Sequence, residues 1–244
     1  MATGLSYVSI GEDRGEVIID SVARVLNAAG VPCVLWAHLL WSTHGVPTYV
    51  PQLDLVIPDA GLAAASEAMM TGSFSPPLVA CPDPTTCRDG SSPERRHPHT
   101  AFHMHIEGTI RVQAISCLCF YVQSETLWFL PPLSASLAKP RECPLPRYLA
   151  FAVVLVPKVH ILTEALMRIM ARDHGTRVGS CCVQHFLYIP IYVEQRGILD
   201  ISLLPELFEE LYKQMTTGSP ADVAKASLKL RRNLGAPLAK ERYR

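Results

Sequence analysis

The residues best placed for chemistry in this sequence lie on two short stretches of alternating side chains. Gln52 and Asp54 are two residues apart, so both project from one face of a strand predicted over residues 52–57. His103 and His105 share a face of a second predicted strand in the same way. An acid on an otherwise apolar strand must be solvated, paired or bound to a metal, because burying a lone carboxylate is costly. Asp54 is therefore the first candidate for a functional carboxyl group.

The two stretches have a joint interpretation if their strands are neighbours in one sheet. Asp54, His103 and His105 would then converge on one site. Two imidazoles and a carboxylate can serve as an acid–base set, or can hold a transition metal. We favour catalysis or binding without a cofactor. A divalent metal on these three side chains is one alternative, and histidines without a functional role are the other.

Further candidates flank this pair of strands. His38 lies at the start of the helix predicted between the strands at 31–36 and 52–57. It is expected to face the same cavity as Asp54, although a capping or packing role is the alternative. Trp36 is expected to pack against a substrate, with the ordinary core role of tryptophan as its alternative. Gln52, Thr48 and Trp128 complete the predicted substrate-binding set.

Hydrophobic periodicity and capping signals predict an α/β (α+β) fold, with a mixed sheet flanked by helices and a helical C-terminal part. Residues 1–150 form the predicted core, with a long loop at 73–100, and residues 151–244 form a mostly helical part packed on it. Helices are predicted at 16–29, 37–44, 59–71, 157–173, 204–215 and 219–233, and strands at 31–36, 52–57, 101–107, 109–116 and 118–122.

The composition restricts the classes of partner. The 244 residues carry 22 Lys and Arg against 22 Asp and Glu, so the sequence lacks the basic surface that broad nucleic-acid binding needs. Apolar runs fall short of the roughly 18 residues of a membrane helix, and the N-terminus does not resemble a signal peptide. We expect a cytoplasmic protein that binds a small organic molecule and has reduced cysteines. The vicinal pair Cys181–Cys182 has no nucleophile motif around it.

The segment from residue 31 to residue 59 resembles the core motif of the nucleotidyltransferase superfamily. Its spacing is similar to that of divergent members whose motif reads Gly-x-Pro-Arg-x-Thr-x-Asp-x-Asp, with Gly45, Pro47 and Asp54 at matching positions. The segment also resembles fungal hypothetical proteins without an assigned activity. The resemblance covers residues 16–72 and implies a nucleotidyltransferase-like mixed sheet.

The departures from that motif lie at the positions that handle phosphate and metal. The resemblance implies two acids that hold magnesium, but Gln52 replaces the first of them. Thr48 and Val50 stand where the motif has Arg and Thr. Trp36 and Ala37 lie where the family has the small pair that lets a triphosphate approach the backbone.

These observations predict a degenerate active site on a nucleotidyltransferase-like fold. The leading hypothesis is a small-molecule enzyme of specialised biosynthesis, of isomerase, cyclase or lyase type, that performs acid–base chemistry on a mostly apolar substrate. One alternative is a non-catalytic module that binds a ligand or a protein. The other is an active metal-dependent nucleotidyltransferase whose missing carboxylate comes from Glu107 or Asp59. The oligomeric state is left open.

Overall fold

The structure is a computed structural model that describes residues 12–72, 74, 77–84, 97–104, 117–133 and 154–234. It contains five strands in one mixed sheet, with helices before, between and after them. The strands are β1 (Val34–Trp36), β2 (Gln52–Ile57), β3 (Leu78–Ala80), β4 (Thr100–Met104) and β5 (Cys117–Val122). The helices are α1 (Glu12–Ala28), α2 (Ala37–Thr43), α3 (Leu62–Thr71), α4 (Gln123–Thr126), α5 (Val159–Arg172), α6 (Arg177–Tyr188), α7 (Glu206–Thr217) and α8 (Pro220–Asn233).

The predicted fold class is confirmed, because a mixed sheet is flanked by helices and the C-terminal part is helical. The strand order is β1-β2-β5-β4-β3. β2 and β5 are parallel, whereas the other neighbouring strands are antiparallel. All six residues of β2 and all six of β5 are buried, as expected for two central strands covered on both faces.

Local sequence signals explain where several helices begin and end. Ile19, Val22 and Leu26 form the buried stripe of α1, and Gly30 follows with a φ of +73°, which glycine adopts without strain. Ser219 and Asp222 form a capping box at the start of α8. Asp59, at the start of the helix predicted over 59–71, lies inside a 3₁₀ turn (Asp59–Gly61) before α3. The α-helix therefore begins at Leu62, about one turn later than predicted.

The two faces of the sheet pack into two hydrophobic clusters. One cluster combines Leu35, Leu55 and Phe120 with buried side chains of the surrounding helices, including α1, α3 and the C-terminal helices. The second cluster lies on the opposite face, where Gln52 and Asp54 also project. It contains Val34, Val56, Ala101, Cys117, Cys119, Tyr121, Leu127 and Ala165.

Some predictions of local structure differ from the observed fold, and one falls on residues that the structure does not describe. The stretch 73–100, predicted as a loop, contains β3, which pairs with β4 at the edge of the sheet. α6 was not predicted at all. The strand predicted at 109–116 lies outside the described residues. Within the described parts of the chain, no helix is both long and apolar enough to cross a membrane.

Candidate functional site

Asp54 lies at the centre of the sheet and is completely buried. The amide Nε2 of Gln52 donates a hydrogen bond to Asp54 Oδ1 over 2.5 Å. Gln52 is itself 2% exposed, so both polar side chains share one desolvated position on the same face of β2. The sequence prediction that these two side chains project together is confirmed.

Burial raises the pKa of Asp54 to about 7, because desolvation penalises the carboxylate more than the neutral acid. Hydrogen bonds from Gln52 and from the Tyr121 hydroxyl oppose this shift, because they favour the charged form. A carboxyl group with a pKa near neutrality populates both protonation states under physiological conditions. That property suits a general acid or base.

The pairing of strands brings Asp54 next to two aromatic side chains. Trp36 lies opposite Asp54 in the β1–β2 pair, and Tyr121 lies opposite Val56 in the β2–β5 pair. Trp36 and Tyr121 both line a cavity, whereas Asp54 lies behind them. The carboxyl group is therefore separated from the cavity by these side chains, and the Tyr121 hydroxyl is itself buried.

This sheet–helix cavity lies between the second face of the sheet and helices α5 and α6. Its volume is about 70 Å³, which is room for about five water molecules or for a compact organic molecule. Its walls are mostly apolar, with aromatic groups on one side and aliphatic groups of α5 on the other. The lining includes Trp36, Ala37, Trp41, Tyr121, Glu125, Leu162, Leu166, Ile169, Arg172, Cys181, Cys182 and His185.

Arg172 is the cationic residue of the cavity wall, and other protein groups already hold it. Its guanidinium donates to both carboxylate oxygens of Asp173, at 3.0 and 2.8 Å, and to the carbonyl oxygen of Glu125 at 2.5 Å. The guanidinium carbon also lies 4.2 Å from the ring centroid of Trp128. Trp128, predicted to bind substrate, therefore supports Arg172 from behind. It does not belong to the described lining of the cavity.

Cys181 and His185 form a thiol–imidazole pair at the α6 side of the cavity. They lie four residues apart on the helix, and Cys181 Sγ is 3.6 Å from His185 Nδ1. The His185 ring packs against Trp41 at 5.5 Å and against His38 at 6.1 Å between centroids. Sequence reasoning missed this pair because α6 was not recognised. The sequence signal for the start of α6 is Thr176, an N-cap residue whose hydroxyl accepts a hydrogen bond from the Gly179 amide.

Ala37, at the junction of β1 and α2, has an unusual backbone conformation. Its φ of +53° lies in the left-handed region, which costs a residue with a Cβ roughly 1–2 kcal/mol. Ala37 also lines the sheet–helix cavity. Backbone strain of this kind concentrates at binding and active sites, where the surrounding structure holds the chain in place.

The structure does not bring His103 to Asp54. β5 lies between β2 and β4, so β4 is not the neighbour of β2 on which the predicted convergence depends. His103 pairs in register with Cys117, and its Nδ1 lies 3.4 Å from the Cys117 sulfur. Two strand spacings, about 10 Å, separate its strand from β2. His105 lies outside the described residues.

The remaining predicted residues lie at the margin of the cavity or away from it. His38 contacts the cavity indirectly, through the edge of the His185 ring. Thr48 lies in the segment between α2 and β2 and donates to the Tyr49 carbonyl oxygen at 3.4 Å. Neither residue is part of the described cavity lining.

The donor groups of the described residues do not form a metal site. No group of three His, Cys, Asp or Glu side chains in these parts of the chain is arranged to hold an ion. Asp59, one of the two acids considered as a replacement carboxylate, accepts hydrogen bonds from the amide and hydroxyl of Ser124. Glu107, the other acid considered, lies outside the described residues.

Fold and site together define a mixed α/β protein with a buried acid behind a small apolar cavity. Comparison of the chain with protein-family models, with curated proteins and with solved structures finds no match. The functional argument therefore depends on the residues of the site.

Proposed function

We propose that this protein is a small-molecule enzyme that transfers a proton to or from a compact organic substrate in the sheet–helix cavity. The observation that carries the proposal is the environment of Asp54: complete burial, a pKa raised to about 7, and hydrogen bonds to Gln52 and Tyr121. A carboxyl group that served only the fold would be more stable as an amide or an apolar side chain.

In this mechanism Tyr121, whose side chain lines the cavity and whose buried hydroxyl lies beside Asp54, relays protons between the substrate and Asp54. When Asp54 is ionised, the Tyr121 oxygen takes a proton from the substrate while the hydroxyl proton of Tyr121 passes to Asp54. The reverse transfer returns a proton to the substrate, so the pair gains and loses one proton in each cycle. Gln52 keeps the carboxyl group oriented through its 2.5 Å hydrogen bond.

The apolar walls and small volume of the cavity favour a neutral substrate of few atoms. Cavity walls such as Leu162, Leu166 and Ile169 exclude water and offer no partner for several phosphate charges. Arg172 could contact an anion, but its guanidinium already binds Asp173 and the Glu125 carbonyl. These features support a small organic molecule more than a nucleoside triphosphate.

Two features of the backbone support an origin from a nucleotidyltransferase-like scaffold. Ala37 adopts a positive φ at the position where the family has its small pair after the first strand, so a glycine-like conformation is kept there. Gln52 and Asp54 lie side by side at the positions of the two family acids. We infer that the scaffold is retained and that the nucleotide chemistry is replaced.

Deuterium exchange into small ketones provides the test. We expect the protein to accelerate exchange of α-protons of cavity-sized ketones in D₂O, measured by proton NMR, and Asp54→Asn and Tyr121→Phe to abolish the acceleration. Glu67→Gln, at an exposed position of α3, serves as the matched control and should behave as wild type. Ketones that bind without any exchange would instead support a binding module. Transfer of a nucleotide from a magnesium-triphosphate mixture would support the transferase.

A further inference from the structure

The pair formed by Cys181 and His185 has a geometry that the proton-transfer proposal does not use. Both side chains line the sheet–helix cavity, and the 3.6 Å separation of Sγ and Nδ1 suits a thiol that gives its proton to an imidazole. Tyr121 lines the same cavity. The thiol–imidazole pair and the Tyr121 side chain, whose hydroxyl is buried, thus line one apolar cavity.

The imidazole is held in position by its neighbours. Trp41 lies at 5.5 Å with its ring tilted by 36° to the His185 ring, and Tyr188 lies at 6.1 Å on the same helix. His38 meets the ring edge-on, with an interplanar angle of 88°. Packing on three sides restricts rotation of His185 and keeps a ring nitrogen beside the thiol.

We propose that Cys181 is a catalytic nucleophile, with His185 as its base, and that the substrate is a small α,β-unsaturated carbonyl compound. Thiolates are soft nucleophiles that add readily to conjugated alkenes. Their addition does not need a preformed set of hydrogen-bond donors for a tetrahedral oxyanion. The apolar cavity suits such a compact, uncharged molecule.

The chemical step is balanced by residues of the same cavity. The Cys181 sulfur forms a bond to the β-carbon while the thiol proton moves to His185 Nδ1. The electrons of the C=C bond move to the α-carbon, which takes a proton from Tyr121. Elimination reverses these transfers and restores the thiol, so that rotation in the adduct can isomerise the double bond. The protonation half of this step rests on the proposed role of Tyr121 and Asp54.

Cys182 provides a matched control within the same cavity. It is the next residue on α6 and therefore points about 100° further around the helix than Cys181. Both thiols are buried and both belong to the cavity lining. Cys181 is 4% exposed and Cys182 is 9% exposed, so a faster reaction at Cys181 would not be explained by greater access to solvent.

Two small electrophiles separate the nucleophile from the proton donor. Iodoacetamide reacts by displacement of iodide and needs only the thiolate, whereas methyl vinyl ketone also needs a proton on its α-carbon. Adducts on each cysteine would be measured over time by peptide mass spectrometry at neutral pH. We expect both reagents to modify Cys181 before Cys182, and His185→Gln to slow both reactions roughly 100-fold.

The outcomes distinguish this inference from the function on which it rests. Equal modification rates at Cys181 and Cys182 would overturn the assignment of Cys181 as the nucleophile. The same conclusion would follow if His185→Gln has no effect on these rates while its melting temperature is unchanged. If the Cys181 preference stands but Tyr121→Phe does not slow methyl vinyl ketone addition, the thiol–imidazole pair is retained and the proton-transfer role of Tyr121 fails. Cys181→Ser, a near-isosteric change, should remove the fast adduct without unfolding the protein.

Discussion

Replacement of Asp54 by asparagine should make the protein more stable at alkaline pH while it removes the proposed activity. The amide has nearly the same shape as the carboxyl group, and its oxygen can still accept the hydrogen bond from Gln52 Nε2. Unlike the carboxyl group, the amide never has to be ionised in a buried position. The stability difference between the two proteins should therefore depend on pH in a defined direction.

The magnitude follows from the pKa of Asp54, which is about 7 in the folded protein against 3.8 for an ordinary aspartate. Because the folded pKa is raised, the native state binds the proton more tightly, and stability is lost as pH rises from the unfolded to the folded pKa. The full loss is about 4 kcal/mol above pH 7, at about 1.4 kcal/mol for each pKa unit. About 3 kcal/mol of it falls between pH 5 and pH 8.

Urea unfolding monitored by tryptophan fluorescence, at about pH 5 and about pH 8, measures this difference. Asp54→Asn should gain about 3 kcal/mol relative to wild type on going from the lower to the higher pH. Asp20→Asn is the control, because Asp20 forms a surface ion pair with Arg24 over 2.7 Å, and its effect should be below about 1 kcal/mol at both values. If the difference in unfolding free energy between Asp54→Asn and wild type does not change with pH, the raised pKa of Asp54 is refuted, and the proposed acid–base role with it.

Three further perturbations address other parts of the structure. Ala37→Gly should stabilise the protein by about 1 kcal/mol, measured in urea, because glycine relieves the strain at φ +53°. Arg172→Met should destabilise it by about 3–5 kcal/mol in the same assay, because the Asp173 carboxylate, which is 7% exposed, loses its bidentate partner. His44 has a pKa lowered by burial to about 4, so the native state excludes its proton and stability falls as pH drops below 6.5. In His44→Leu, this acid-side loss of about 3 kcal/mol should disappear from a pH series of melting curves.

Sequence patterns predicted the elements whose signals are local. β2 has the predicted bounds, and α8 begins where the helix at 219–233 was predicted to begin, because Ser219, Pro220 and Asp222 act within one turn. The pairing of Glu164 with Arg168, 2.6 Å apart on α5, follows from helical spacing in the same way.

Elements that depend on distant contacts were not predicted. α6 contains Gly179 in its first turn, which weakens a helix signal. The reason for that glycine appears only in the fold, because a Cβ there would lie 2.3 Å from the Asp173 carbonyl oxygen. The insertion of β5 between β2 and β4 likewise depends on pairing between residues far apart in sequence.

The sequence by itself determined that Asp54 and Gln52 share one face of an apolar strand, because side chains alternate along any strand. It also placed Trp36 at the end of the preceding strand, next to the position expected for a pocket. Only the tertiary structure decided which groups share that site, since strand order and helix packing bring Tyr121, Cys181 and His185 together and leave His103 two strands away. The pKa of Asp54 is a property of that packing, because burial from all sides is what raises it.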